Sequence, residues 1–196
     1  NYSAKGKDVG GYDGAFSGDV VIKNAKGNDV TKNYNVTKTP GKLTITAYTD
    51  EVIVTIKEHG GKAKYDGAEK TVTGYDVKNI SNKLYTEKDF EFSGKAEVKG
   101  TDAGTYDMEL KAGDFRNTNS NFSKVKFVIE DGQLEIGKRT VKLTSASANK
   151  EYDGTPLTKE DVTESGDGFV KGEGAAYDVT GTITNVGKVD NEFTYE

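Results

Sequence analysis

Cysteine and tryptophan are absent from all 196 residues, which contain one histidine, one methionine and two prolines. Without cysteine there is no disulfide, no thiolate nucleophile and no cysteine-ligated metal. That absence suits a cytosolic protein and a Gram-positive surface protein equally. The lone histidine, His59, has no second imidazole with which to share a zinc ion, and no serine stands in a recognisable nucleophile context. Beside Gly60-Gly61 it reads as an exposed turn residue. Arginine occurs only at 116 and 139, so nearly all basic residues are lysines, which suit solubility better than bidentate capture of phosphate. A net charge of −5 argues against a general nucleic-acid binder. No apolar run approaches the ~18 residues of a membrane span, so no membrane contact is expected of this segment. No signal peptide is recognisable, and any secretion signal or surface anchor is expected outside residues 1–196.

What the chain does have is glycine, 24 residues, and tyrosine, 11. Only 33% of residues are apolar with tyrosine counted and glycine left out; with glycine in and tyrosine out the share is roughly 39–40%, lean against the usual 45–50% of a globular domain. The apolar residues nonetheless fall into short, regular runs, which is the pattern of small modules with much exposed surface rather than of a disordered chain.

Those runs repeat. Lys64-Tyr65-Asp66-Gly67-Ala68 returns as Glu151-Tyr152-Asp153-Gly154-Thr155, 87 residues on (152 − 65). The stretch from Lys5 to Tyr12 returns as Lys99 to Tyr106 at an offset of 94, each containing an Asp-x-Gly turn before its tyrosine. Gly41-Lys42-Leu43-Thr44-Ile45 is echoed by Gly132-Gln133-Leu134-Glu135-Ile136 at 91, and Thr101-Asp102-Ala103-Gly104 by Thr184-Asn185-Val186-Gly187 at 83. Four phrases in one order define a tandem repeat of a size suited to a small domain. Three segments follow: residues 1–48 as the C-terminal part of one module, 49–137 as a complete module and 138–196 as the N-terminal part of another, joined near 47–50 and 137–139.

Within the complete module, Val52, Val54 and Ile56 alternate with Ile53, Thr55 and Lys57, placing one apolar row on one strand face. Further strands are expected at 71–73, 75–77, 90–92, 95–98, 106–110, 124–129 and 134–136, divided by Gly, Asp and Asn clusters. The stretch 79–89 is read as holding one short helix, and 158–162 a one-turn helix. In the first segment, Val20 and Ile22 alternate like a strand, and Pro40-Gly41 is turn chemistry leading into a closing strand at 43–46. The fold class is mainly β, with little helix. Because the two end segments lack strands that the complete module has, neighbouring chains are expected to complement one another head to tail.

The Tyr-Asp-Gly phrases, the downstream Thr73-Gly74-Tyr75-Asp76-Val77, the Asp-Ala-Gly-Thr-Tyr and Asn-Val-Gly turns and the closing Gly-x-Leu-x-Ile together resemble the YDG/MBG-type repeats of large bacterial surface adhesins. The resemblance implies β-grasp-like modules strung in an elongated array between a secretion signal and a cell-surface anchor. It implies an extracellular, non-catalytic stalk whose nearest partners are modules of the same chain. It supplies no catalytic residues.

The remaining candidates are each read against a plain structural role. Tyr65, Asp66, Tyr152 and Asp153 are the candidate binding residues, for a host glycan or matrix protein, through exposed tyrosines or a sheet edge. As structure, the aspartate holds a turn, Gly67 and Gly154 take positive φ and the tyrosine packs on the module edge; Gly104, Tyr106 and Gly187 belong to the same architectural signature. Asp161, Glu164 and Asp167 are the candidate calcium ligands, though no Asp-x-Asp-x-Asp-Gly loop is present. No other cofactor is expected, and no nucleophile–base pair suggests an enzyme.

Overall fold

The computed structural model describes residues 2–196. The fold is mainly β, with several small sheets and only three-residue 3-10 turns as helical elements among the described residues. The first segment carries β1 (Tyr2–Ser3), β2 (Gly10–Asp13), β3 (Ala15–Phe16) and β4 (Lys42–Ile45). Residues 49–137 form β5 (Val52–Glu58), β6 (Gly61–Lys64), β7 (Lys70–Thr73), β8 (Tyr75–Ile80), β9 (Phe90–Phe92), β10 (Glu97–Gly100), β11 (Gly104–Asp107), β12 (Phe115–Asn117), β13 (Val125–Glu130) and β14 (Gln133–Gly137). The last segment carries β15 (Val141–Ser145), β16 (Leu157–Thr158), β17 (Val162–Gly166), β18 (Tyr177–Val179), β19 (Thr182–Ile183) and β20 (Phe193–Tyr195).

The chain forms two compact units, and residues 49–137 contribute to both. The first unit comprises Asn1–Lys57, Asp76–Lys95 and Leu110–Glu130. Its central sheet has the order β13-β5-β8, with β5 parallel to β13 so that Val52 faces Val125 and Ile56 faces Ile129. The alternation in β5 does what its period of two requires: Val52, Val54 and Ile56 are fully buried, while Ile53 is 38% exposed. Aromatic rings supply much of the remaining core. Phe127 lies 5.2 Å from Phe90 and 5.4 Å from Phe115, and Tyr85 meets Phe122 edge-on at 5.1 Å. Such pairs add roughly 0.5–1.5 kcal/mol each beyond area burial.

Tyr85 is 2% exposed, and its hydroxyl donates toward the Asp89 carbonyl at 2.9 Å, with Asn117 Oδ1 3.0 Å away. Here the expected helix over 79–89 contracts to a 3-10 turn at Glu87–Asp89. The first residues of that stretch are drawn into β8, and Thr86 with Asp89 closes a capping box that fixes the short turn instead. The strand expected at Val20 and Ile22 is replaced by a single bridge between Lys23 and Asp29, because Asn24 Oδ1 accepts from the Lys26 and Asn28 amides and folds the chain back.

The second unit comprises Glu58–Tyr75, Ala96–Glu109 and Asp131–Glu196. A three-stranded sheet of order β11-β14-β6 anchors it, with β14 parallel to β6 and antiparallel to β11. Leu134 and Ile136 are nearly fully buried on one face of β14. β7 pairs with β10, β15 with β17, β16 with β19 and β18 with β20, all antiparallel. The one-turn helix expected at 158–162 is absent. Leu157–Thr158 and Val162–Gly166 each find a strand partner, and only three residues remain between them.

Two features of the strand pairing stand out. β5 pairs with β13 and β6 with β14 at one offset, 73 residues (125 − 52 and 134 − 61). The ladder lapses between the Lys57–Glu130 and Gly61–Leu134 pairs while the register is kept, and there Glu58 continues the inward row of β5. Glu58 is the only buried charged residue among those described, 1% exposed, and its carboxylate accepts the Gly132 amide at 2.7 Å. Gly132 has no room for a side chain, since a Cβ would collide with the His59 carbonyl. His59, expected to be an exposed turn residue, is half-buried here, with Nδ1 2.8 Å from the Thr73 carbonyl. The second feature is recurrence: Gly100 pairs with Lys70 as Ile183 pairs with Leu157, and Phe92 with Phe115 as Val179 with Phe193. The first strands of these pairs keep the 87-residue offset of the Tyr-Asp-Gly phrases (157 − 70 and 179 − 92).

Glu58→Ala removes the acceptor for a buried amide and should cost on the order of 2 kcal/mol in chemical denaturation, with Glu58→Gln, which keeps a carbonyl oxygen, costing less than half as much. Burial, reinforced by the charge of Asp89, pushes the Tyr85 hydroxyl up to about 12. The folded state therefore holds this proton more tightly than the unfolded chain, whose tyrosines titrate near pH ~10. The associated stability is complete below pH ~10 and is lost as pH rises toward 12. The difference in unfolding free energy between wild type and Tyr85→Phe should shrink across that window and stay flat below it.

Candidate functional site

The two Tyr-Asp-Gly phrases fold into the same turn. Asp66 Oδ1 accepts the Ala68 amide at 3.0 Å, and Asp153 Oδ1 accepts the Thr155 amide at 2.9 Å. The glycine between takes φ +76° at Gly67 and φ +75° at Gly154, a region open to glycine at no steric cost. A lysine caps each carboxylate: Lys70 at 2.5 Å from Asp66 and Lys150 at 2.9 Å from Asp153. Hydrogen bonding from Lys70, then from the Ala68 amide, holds the Asp66 carboxyl below the usual range, and Lys150 with Thr155 does the same for Asp153. In both copies the aspartate is thus committed to its own turn.

The tyrosines differ. Tyr152 is 66% exposed. Tyr65 is half-buried and donates a short hydrogen bond to Glu173, whose carboxylate raises the Tyr65 hydroxyl above its ordinary value. Val170 packs over Gly67, where a Cβ would stand 3.2 Å from Cγ1, whereas nothing lies against Gly154. The loop 166–173 therefore buttresses the first copy of the turn only.

Arg139, in the 137–139 joint, completes this corner. Its guanidinium donates to three carbonyls, those of Gly168 (2.8 Å), Asp167 and Tyr65 (3.4 Å). Asp167 bonds Lys64 at 2.7 Å and the Thr140 amide at 2.8 Å, and these two hold its carboxyl below the usual range. A planar fork that spans several acceptors is what arginine offers and lysine does not. Sequence reasoning passed over Arg139, although its rarity in a lysine-rich chain is a readable signal. Between Tyr65, Arg139, Phe169, Val170 and Glu173 lies a concavity of about 270 Å³.

The Gly-to-Tyr phrases also match in three dimensions. Tyr12 lays its ring over Gly6 and donates to the Asp8 carbonyl at 2.6 Å; Tyr106 lays its ring over Gly100 and donates to the Asp102 carbonyl at 3.0 Å. A side chain at either glycine would fall inside the ring. The strands that follow pair alike, Tyr12 with Leu43 and Tyr106 with Leu134. In the third phrase, Gly187 is followed by Val189 in the place of tyrosine, and Ile183 stands in the place of the covered glycine. Ring and glycine are replaced together, and Val186 at the tip is 89% exposed.

The candidate calcium ligands have separate partners. Asp161 pairs with Lys159, Glu164 accepts from the Tyr177 hydroxyl at 3.0 Å, and Asp167 is held by Lys64 and Thr140. Among the described residues, no group of three or more His, Asp or Glu side chains is placed to hold a metal ion. No helix of the described residues is long and apolar enough to cross a membrane. No protein-family model, curated protein or solved structure matches this chain.

Arg139→Ala should lower stability by about 2 kcal/mol, because charge-assisted hydrogen bonds to part-buried carbonyls are lost together. It should also speed tryptic cleavage after Lys138, followed by intact mass. Arg139→Lys should recover less than half of the stability.

Proposed function

We propose that the chain is a non-catalytic, tandem-repeat stalk segment of a bacterial surface adhesin, extracellular and cell-wall associated, which extends a distal binding region from the cell. The observation that supports this reading most is strand direction. β5, the first strand after the 47–50 joint, runs parallel to β13, which leads through β14 to the 137–139 joint. Tension between the joints pulls the two strands in opposite senses along their own axes. The ladder bonds of Val52–Lys57 with 125–130 are then loaded together in shear, rather than one at a time as in peeling. Modules built this way resist extension cooperatively. Such a stalk needs no catalytic residue and no cofactor, and its partners are the neighbouring modules of the same chain.

A second reading rests on Tyr152, which stands exposed on a turn whose first copy is buttressed. In that reading the segment is itself a binding module for a host glycan or matrix protein. Loss of binding on Tyr152→Ala, in a glycan and matrix-protein screen where wild type binds, would favour it.

Single-molecule stretching between handles at the chain ends tests the stalk. Residues 49–137 should yield in one step that releases about 300 Å of contour, at ~3.4 Å per residue, and at the highest force of the trace. Glu58→Ala should lower that force. Gradual extension of this segment, at forces no greater than those of the flanking segments, would overturn the reading.

A further inference from the structure

The central segment contains two parallel pairings, and each end segment carries a stretch that corresponds in sequence to one side of them. Residues 34–45 correspond without gaps to 125–136 at the 91-residue offset, with Pro40-Gly41 in the place of Asp131-Gly132. Residues 141–151 correspond without gaps to 54–64 at the 87-residue offset. The first set is the counterpart of β13 and β14, the second of β5 and β6. Yet β4 pairs only with β2 in a two-stranded sheet, and β15 only with β17. Among the described residues, no backbone hydrogen bond engages 148–151 or 35–40.

Exposure follows the same division. Leu134 is 2% exposed but its counterpart Leu43 is 52% exposed; Phe127 is 8% exposed and its counterpart Val36 41%. Val54 and Ile56 are fully buried, while their counterparts Val141 and Leu143 are only half-buried. Tyr34, one more core-facing position along, is 59% exposed. In the central segment burial accompanies the parallel pairing and comes from the layer packed on its face, where Phe127 meets Phe90 and Phe115.

We infer that the open edges of β4 and β15 pair between two copies of this chain: residues 34–45 of one copy add in parallel to residues 141–151 of another, head to tail. The register is inherited from the chain itself. Leu134 faces Gly61 and Phe127 faces Val54, so Leu43 faces Ala148 and Val36 faces Val141 across the two copies. Backbone bonds between open edges supply the ladder, and the exposed apolar row supplies burial. Ser145 stands where Glu58 does, so the carboxylate that ties the Gly132 amide has no equivalent, and the junction is weaker than its internal counterpart. The contact is heterologous, using different surfaces on the two copies, and it propagates unless a ring closes. It rests on the open edges of β4 and β15, for which a flanking module of the same chain would compete.

The absence of native cysteine makes the register directly testable. Two single-cysteine variants, Leu43→Cys and Ala148→Cys, are mixed in equal amounts and air-oxidised, so that any disulfide must join two chains. Facing residues on paired strands satisfy the Cα separation that a disulfide needs. The mixed dimer should exceed each homodimer at least fivefold on a non-reducing gel. Replacing the second variant by Asn149→Cys, which points to the opposite face, should abolish that excess. In sedimentation equilibrium, wild type should show a weight-average mass that rises with concentration, and Val36→Lys should weaken association at least tenfold while its far-ultraviolet circular dichroism stays that of wild type. A concentration-independent monomer mass would overturn the inference. So would equal yields from the Ala148→Cys and Asn149→Cys mixtures.

Discussion

The parallel pairing of β5 and β6 with β13 and β14 is the constraint on which the rest of the structure depends. A parallel partner cannot be reached through a tight turn, so the intervening chain must make a long excursion before returning. Here that excursion is residues 65–124, and it brings β7 to β12 and the aromatic core with it. The same offset in both pairs means that the interruption between them must be matched on both strands. Glu58 and Gly132 perform that matching, one with an inward carboxylate and the other with a backbone that tolerates no side chain. A buried carboxylate facing a backbone amide is more directional than an apolar contact, and it fixes where one ladder stops and the next begins.

Around that pairing, the repeated phrases of the chain make local contacts. Aspartates of the Tyr-Asp-Gly turns bond their own backbone, and the tyrosines of the Gly-to-Tyr phrases cover glycines and reach local carbonyls. Arg139 uses its fork on carbonyls rather than on an incoming anion. What stays open is backbone edge and apolar side chain at the two end segments, which is chemistry suited to another β-strand.

Much of the fold was legible from periodicity. The buried row Val52, Val54 and Ile56 and the strands at 90–92, 124–129 and 134–136 follow from alternation and turn residues alone. Extending the same alternation by one more step would have placed Glu58 in the core row, a signal masked by the habit of reading charge as surface. The helix expected at 158–162 failed because Leu157–Thr158 and Val162–Gly166 find strand partners distant in sequence, which local pattern cannot register; at 79–89 the first residues join β8 and the Thr86–Asp89 capping box leaves only a 3-10 turn. Tyr65 and Tyr152 are identical in the sequence, and only the Glu173 and Val170 contacts made by the loop after β17 distinguish them. The rarity of arginine singles Arg139 out in the sequence, but its partners are main-chain carbonyls, which carry no residue-type signature, so the corner it builds was not legible.

Native-state hydrogen exchange by NMR addresses the role of the parallel pairing most directly. The amides of Val52–Lys57 and of their partners at 125–130 should exchange last and through one shared opening, with the short strands β1, β3, β16 and β19 exchanging well before them. Protection in the parallel ladder no higher than in those short strands, or separate openings for β5 and β13, would contradict that central role.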